Sequence, residues 1–541
     1  MSNNDLIWPA KGALAVPGHQ ATSSITIWTD YAVWGLDIYD NQPTWFSLIE
    51  LIIVLTDRWR KGARLLVDMP VDGQGARCHE QVDYVIYTNG NLRHLMFRDQ
   101  DILPLSERNT VDQAAIWTQW LAGVKKDFPN LDLSYLRTMF NDDFNKFSEA
   151  VGLLRSAEVE PGHAKRWSSK HLLPVGDAAL FPDFNPKAGG PGNLDRRFFR
   201  RSGEILYLML SRASGALKDK LEPLLGDKLF TQSSPWNSIA HKLQGKDADL
   251  SDASKFASGS FAYLPVPQLD RYDRLAEDWI AVLSHDRVPI EDSLDYLMRL
   301  SGLHEVLYIA ERAAAVQDAA EPVFYLDMLG NIPGNQIKNL SLETYKVHKN
   351  LTKKAVEAYI QSYFDTDEWS SVGNGANAVE GGDAAQKIRD RFLFKTSHKQ
   401  AHPVEKEEQA RELLVAAANR SHAIGSAFTA HARQIGFLSL KQGVGGWYTP
   451  TDALLEALVV ANVDGVMEYG EFLKTIYRRY SFVVGTEEAK AFNKGSLPAP
   501  GQLFVANERR FEERLLALGF VDRKSDDCAF VINPFSAGKT E

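Results

Sequence analysis

Through most of this chain apolar residues recur at the 3.6-residue spacing of amphipathic helices, and the two-residue alternation of strands is confined to short runs. Near the start, residues 24–29 (Ser-Ile-Thr-Ile-Trp-Thr) and 82–87 alternate, and the turn Asn89-Gly90-Asn91 leads into a second run at 92–97, so a hairpin is expected there. A helix over 46–60 lies between, which makes residues 1–105 a small α+β domain. From 111 to 155 the pattern is helical, with Ile116, Trp117, Trp120 and Leu121 on one stripe and Leu136, Phe140, Phe144 and Phe147 on the next. Residues 161–193 then break the pattern with Pro174, Pro182, Pro186 and Pro191; an irregular stretch of that length is either functional or wrapped against another surface. Amphipathic runs at 269–283, 290–300, 304–315 and 351–364, with a polar helix opening near 340, complete a helical domain over 106–364. Acidic, glycine- and asparagine-rich residues 365–384 read as a linker or exposed loop, and 385–541 as a C-terminal region.

That last region carries the most organised pattern. Thr449-Pro450-Thr451-Asp452 starts a helix with Leu454, Leu455, Leu458 and Val459 at helical spacing. A second helix, 471–480, turns Phe472, Ile476, Tyr477 and Tyr480 to one side, and a third, capped by Asn507, runs through Phe511, Leu515 and Leu518 to a stop at Gly519. Strands at 520–523 and 528–532 flank a turn at 524–527.

Three helices followed by a hairpin resemble a winged helix, the helix-turn-helix variant with a β-wing. A similar sequence precedes it: a helix over 426–434, Gly436, a strand over 437–441, the glycine turn 443–446, and Trp447-Tyr448. The expected fold class is therefore mainly α with a small α+β N-terminal domain, multidomain, ending in a winged helix or two in tandem. The resemblance implies duplex DNA contact, with helices 426–434 and 507–518 as recognition elements and the wings on phosphate. Arg433 and Lys441 would serve in the first unit, where Arg420, His422 and His431 also face no nearby acid in sequence; Arg509, Arg510, Arg514, Arg523 and Lys524 would serve in the second.

Charge qualifies this reading. The formal net charge of -10 means that any grip on nucleic acid comes from local patches. One such patch is Arg196, Arg197, Arg200 and Arg201, which on a helix stack at i,i+4 into a four-guanidinium face suited to a phosphate backbone, or to acidic residues of another segment or subunit. From 447 to 541 eleven basic residues meet fourteen acidic ones, a balance that suits protein contact as well as DNA.

Candidate chemistry is sparse. Two cysteines, Cys78 and Cys528, make neither a disulfide framework nor a four-ligand zinc cluster. Cys78-His79-Glu80 reads as a loop before a strand, and His304 as packing. His163 and His171 with Asp177 and Asp183, or Asp68 and Asp72 with Glu80, are the candidate metal sets, without the motif context that would specify one. No cofactor, metal or catalytic residue is assigned. The apolar stretch 45–55 is too short to cross a bilayer, and the first residues lack a signal-peptide pattern, so a cytoplasmic protein is expected. The resulting expectation is a non-catalytic protein that binds duplex DNA. Its general type is that of an accessory subunit of a bacterial multi-protein system such as phage defence, with other protein subunits as partners. A structural scaffold using its winged helices for protein contacts and a metal-dependent nuclease are the alternatives.

Overall fold

The computed structural model describes residues 33–35, 38, 42–71, 73–74, 82–85, 91–92, 95, 99–106, 112–127, 131–155, 184–185, 193–194, 202–231, 235–245, 257–259, 264–372, 381–392, 394, 405–525 and 528–536. These residues are mainly helical, with a few small sheets. Helix α1 (Thr44–Arg60) is apolar on all sides through residue 55 and is buried all round, as a central helix must be. Strand β1 (Asp83–Val85) follows. Its turn residues suggested the run at 92–97 as partner; among the described residues it pairs antiparallel with 257–259. Burial of Val82 and Tyr84 against the main core outweighs the local turn signal.

Helices α2 (Asp99–Ser106), α3 (Gln113–Asp127), α4 (Ser134–Met139) and α5 (Phe144–Arg155) surround a core of their own. Trp117, Trp120, Phe144 and Phe147 pack there with ring centroids 5.0–6.1 Å apart. After the paired strands β2 (Phe184–Asn185) and β3 (Asn193–Leu194) comes α6 (Ser202–Ser211), buried at every position. Its Gly203 crosses α1 so closely that a Cβ would stand 2.4 Å from the Ser47 carbonyl oxygen, so only glycine fits. Helix α7 (Gly215–Leu225) runs into a π-helical turn over 226–231, and α8 (Pro235–Gln244) returns to the aromatic core. Strand β4 (Ala257–Gly259) is the partner of β1.

The remainder is built on long helices. α9 (Asp270–Leu283) packs on α10 (Ile290–Val316), which is continuous where two helices were expected. Strand β5 (Phe324–Tyr325) precedes α11 (Gln336–Phe364), capped by the Asn335 side chain and again unbroken. Within the expected 365–384 connector, α12 (Asp367–Ser370) places Trp369 against Tyr363 and Phe364, and α13 (Gly381–Phe392) begins. α14 (Lys406–Gln434) is one helix of 29 residues lying along α11, so the expected 426–434 helix is its last third.

Strands β6 (Leu438–Lys441) and β7 (Gly445–Tyr448) form a hairpin. Then follow α15 (Asp452–Asn462), β8 (Val466–Glu468), α16 (Tyr469–Tyr480), β9 (Phe482–Val483), α17 (Thr486–Phe492), α18 (Gly501–Ala517), β10 (Val521–Ser525) and β11 (Cys528–Ile532). The last sheet has the order β10-β11-β8. Helix α18 starts six residues earlier than expected, because Asn507 is not its cap. The fully buried Asn507 carboxamide donates to the carbonyls of Leu326 and Val484 and accepts from the Met328 N–H. Strand β5 pairs in parallel with β9, and the Asp327 N–H donates to the Tyr448 carbonyl. Residues 324–328 are thus the seam that joins the β6–β7 hairpin to β9 and α18. One hydrophobic cluster runs from Val33 to Val531 across the expected boundaries at 105 and 364.

Candidate nucleic-acid interface

The hairpin β6–β7 lies across α11. Gly446 rests against the Tyr345 ring, where a Cβ would come within 2.6 Å, and Lys338 Nζ stands 3.9 Å from the centre of the Trp447 ring. Helix α14 reaches the same place from the other side, where the Tyr345 hydroxyl and Thr429 Oγ1 are 2.9 Å apart. Three elements therefore converge around Tyr345, and each brings cations to the surface. Arg433 is exposed one turn beyond Thr429, and Lys441 is exposed at the end of β6. From α11 come Lys338, Lys346, Lys349 and Lys353, which fall within about 80° of one another at 3.6 residues per turn. Lys349 also sits over the Tyr345 ring, 5.9 Å from its centre. Among the described residues none of these six cations has a carboxylate within 4 Å.

The four α11 lysines went unnoticed in the sequence, although their 8-3-4 spacing was there to be read. They were overlooked because a polar helix with lysines on it is ordinarily a solvated face. The hairpin's position beside them singles them out.

The candidate cations of the last unit are arranged differently. Arg510 lies 2.9 Å and Arg509 3.4 Å from the Glu513 carboxylate, one helical turn away. Arg514 reaches Asp452 at 2.5 Å and the Pro450 carbonyl at 2.8 Å, Arg523 lies 3.4 Å from Glu512, and Lys524 pairs with Asp522. Each is therefore already matched. His431 is buried, with Nδ1 3.5 Å from the buried Glu305 carboxylate, so its expected exposure is corrected: it faces the inside of the α10–α14 contact. Arg196, Arg197, Arg200 and Arg201 lie outside the described residues, as do the side chains of Arg420 and His422.

A second polar constellation joins the last unit to the helical body. Asp278 on α9, wholly buried, accepts from His304 Nε2 at 2.8 Å, from the Tyr480 hydroxyl at 2.8 Å and from Arg479. Arg271 approaches His304 Nδ1 at 3.4 Å, pairs with Glu311 and donates to the Arg479 carbonyl at 3.0 Å. Burial alone would raise the Asp278 carboxyl, but the His304 bond and the Arg479 charge outweigh it and hold the pKa below the usual range. Burial lowers the His304 pKa to about 4, so the ring is neutral near pH 7. Asp278 and His304 are 0% exposed and bonded to residues of α9, α10 and α16, so this cluster fastens α16 to α9 and α10. His304, read from sequence as packing, is buried and also hydrogen-bonded to Asp278.

Comparison with known proteins found no matching family model, no matching curated protein and no matching solved structure. Function therefore rests on the geometry alone. Of the candidate metal residues, Asp72, His79, Glu80, His163, His171, Asp177 and Asp183 lie outside the described residues, and Asp68 pairs with Lys218 and Arg64. Among the described residues no group of three histidines, cysteines or carboxylates is placed to hold a metal ion, and no helix is long and apolar enough to cross a membrane.

Proposed function

We propose that the protein binds duplex DNA, and that it does so through the face made by α11, the end of α14 and the β6–β7 hairpin. The observation that carries this reading is the set of six cations from three elements with no carboxylate of the described residues within 4 Å, on a chain whose net charge is -10. Grouped like charges repel one another, and an anionic surface that releases its condensed counterions on contact is the partner that relieves them. Lysine and arginine at the end of a helix and on an adjoining hairpin are also what a winged helix brings to a phosphate backbone, which supports the resemblance for residues 406–448.

The order helix, strand, helix, helix, two strands from α15 to β11 supports the same resemblance for the last unit, with α17 and β9 between its second and third helices. A different role fits that unit. Its five candidate cations are matched by carboxylates, and Asn507 and Asp278 fasten it to the body, which favours protein contact or a structural part over a DNA grip. The four arginines between 196 and 201 lie outside the described residues and form no part of this reading. The N-terminal carboxylates proposed for a nuclease gain no support from Asp68, whose pKa is lowered by the Lys218 bond and charge.

The test is fluorescence anisotropy of the whole chain with a fluorescent DNA duplex at several salt concentrations. Six phosphate contacts predict a plot of log affinity against log salt with a slope of about -5. Absence of binding at low salt would sink the reading.

A further inference from the structure

The four α11 lysines form a line. Lys338 and Lys353 are fifteen residues apart on one unbroken helix, about 22 Å at 1.5 Å per residue. That length matches six or seven base pairs of duplex at about 3.4 Å each. Five of the six are lysines, compact charges with three rotatable donors, which satisfy a phosphate but lack the planar fork that reads guanine from the major groove.

The aromatic residues of the face point to the same conclusion from another side. Proteins that hold single strands stack the bases on open aromatic rings. Here Tyr345 is buried with its hydroxyl against Thr429, Tyr448 is fully buried, and the half-buried Trp447 ring is covered by the Lys338 ammonium. The rings of this face are occupied by the fold, so bases turned out of a strand would find nowhere to stack.

From the line of lysines and the covered rings we infer that the face is a phosphate rail: it takes a short tract of DNA double helix by the backbone, along the axis of α11, without reading the bases. The inference rests on the nucleic-acid reading above and narrows it. It names a duplex over a single strand, a footprint of less than one helical turn, and indifference to sequence.

The experiment uses the whole chain and a set of blunt DNA duplexes from about 6 to about 24 base pairs in two unrelated sequences, with the matching single strands, a duplex RNA and polyglutamate as competitors. Affinity should rise steeply up to about 8 base pairs and thereafter only in proportion to the number of overlapping sites. The two sequences should agree within about threefold, and single strands should bind at least about tenfold more weakly than duplex of the same length. Affinity that keeps climbing steeply beyond about 16 base pairs would mean that a second surface shares the duplex, and would overturn the single rail. Single strands or duplex RNA binding as well as duplex DNA, or one sequence preferred by more than about tenfold, would overturn it too. Polyglutamate competing as strongly per charge as duplex DNA would make the partner an acidic protein. If no nucleic acid binds at all, the reading of function fails together with the rail; each of the other adverse results leaves nucleic-acid or polyanion binding intact and removes the rail alone. A Lys346→Ala variant, a single change at an exposed position of the helix, should lower the salt slope by about 0.9 while leaving the unfolding midpoint unchanged.

Discussion

Two regions of this protein carry basic residues on a helix beside a β-hairpin, and they differ in where the matching acids lie. On α18, Glu513 follows Arg509 and Arg510 by four and three residues, so the helix neutralises itself, while Asp452, Glu512 and Asp522 take Arg514, Arg523 and Lys524. On α11 the acids are Glu343 and Glu357: the first falls off the lysine stripe and the second comes after its end, and neither is within 4 Å of a lysine. The lesson is one of availability. A basic residue offers its charge to a ligand only when the fold has not already spent it, and sequence counts weigh both cases alike.

The sharpest way to break the comparison is to reverse the rail. Changing Lys346, Lys349 and Lys353 together to Glu should weaken duplex binding by more than about 100-fold, because each reversal removes a phosphate contact and adds a repulsion. Anisotropy at low salt checks it, with circular dichroism to verify that the changes, at exposed Lys346 and half-buried Lys349 and Lys353, leave the fold intact.

A stability experiment addresses the seam. Asn507→Ala leaves the carbonyls of Leu326 and Val484 and the N–H of Met328 without their partner in a buried place, which should cost about 3 kcal/mol. Urea unfolding reads that loss; well below the transition, duplex affinity should stay within about twofold, since Asn507 bonds none of the rail's lysines.

Acid should loosen the fold through two buried histidines. His304 and His348 have pKa values lowered by burial to about 4 and about 3, against 6.5 when unfolded. The unfolded chain therefore binds protons that the native chain refuses. Stability is complete above pH 6.5 and is lost as pH falls from there toward 4, at roughly 1 kcal/mol per pH unit for each ring. Denaturant midpoints between pH 7 and 4.5 should show this slope, reduced in His304→Gln. A flat profile would mean that neither ring is buried neutral.

The smallest effect belongs to α18. Arg509→Ala with Arg510→Ala should change duplex affinity by less than about twofold and leave the unfolding midpoint in place, as expected for exposed pairs. A loss as large as that of the rail variants would invert the comparison and return the DNA grip to the last unit.

Much of the helical skeleton was legible from periodicity, because burying an apolar stripe is a local demand: the all-round apolar run of α1, the stripe of α16 and the aromatic set at 117–147 appear where the spacing put them. Helix continuity was less legible. The runs expected at 290–300 and 304–315 are one helix, in which Gly302 packs against Ile435, and Gly425 packs against Lys353 inside the unbroken α14. Of the candidate site, Arg433 and Lys441 were named from sequence alone, while Lys338, Lys346, Lys349 and Lys353 were not.

What the sequence by itself determined is many of the helical stripes, the two hairpins at 438–448 and 521–532, and the positions of the charges, since those follow from spacing, turn residues and composition. Only the tertiary structure decided which strand β1 would choose, that Asn507 would bridge backbone rather than cap a helix, and that His431 would turn inward to Glu305. It also decided which cations remain unmatched. Pairing, burial and neutralisation are properties of residues far apart in the chain, and they exist only once long-range packing has brought those residues together.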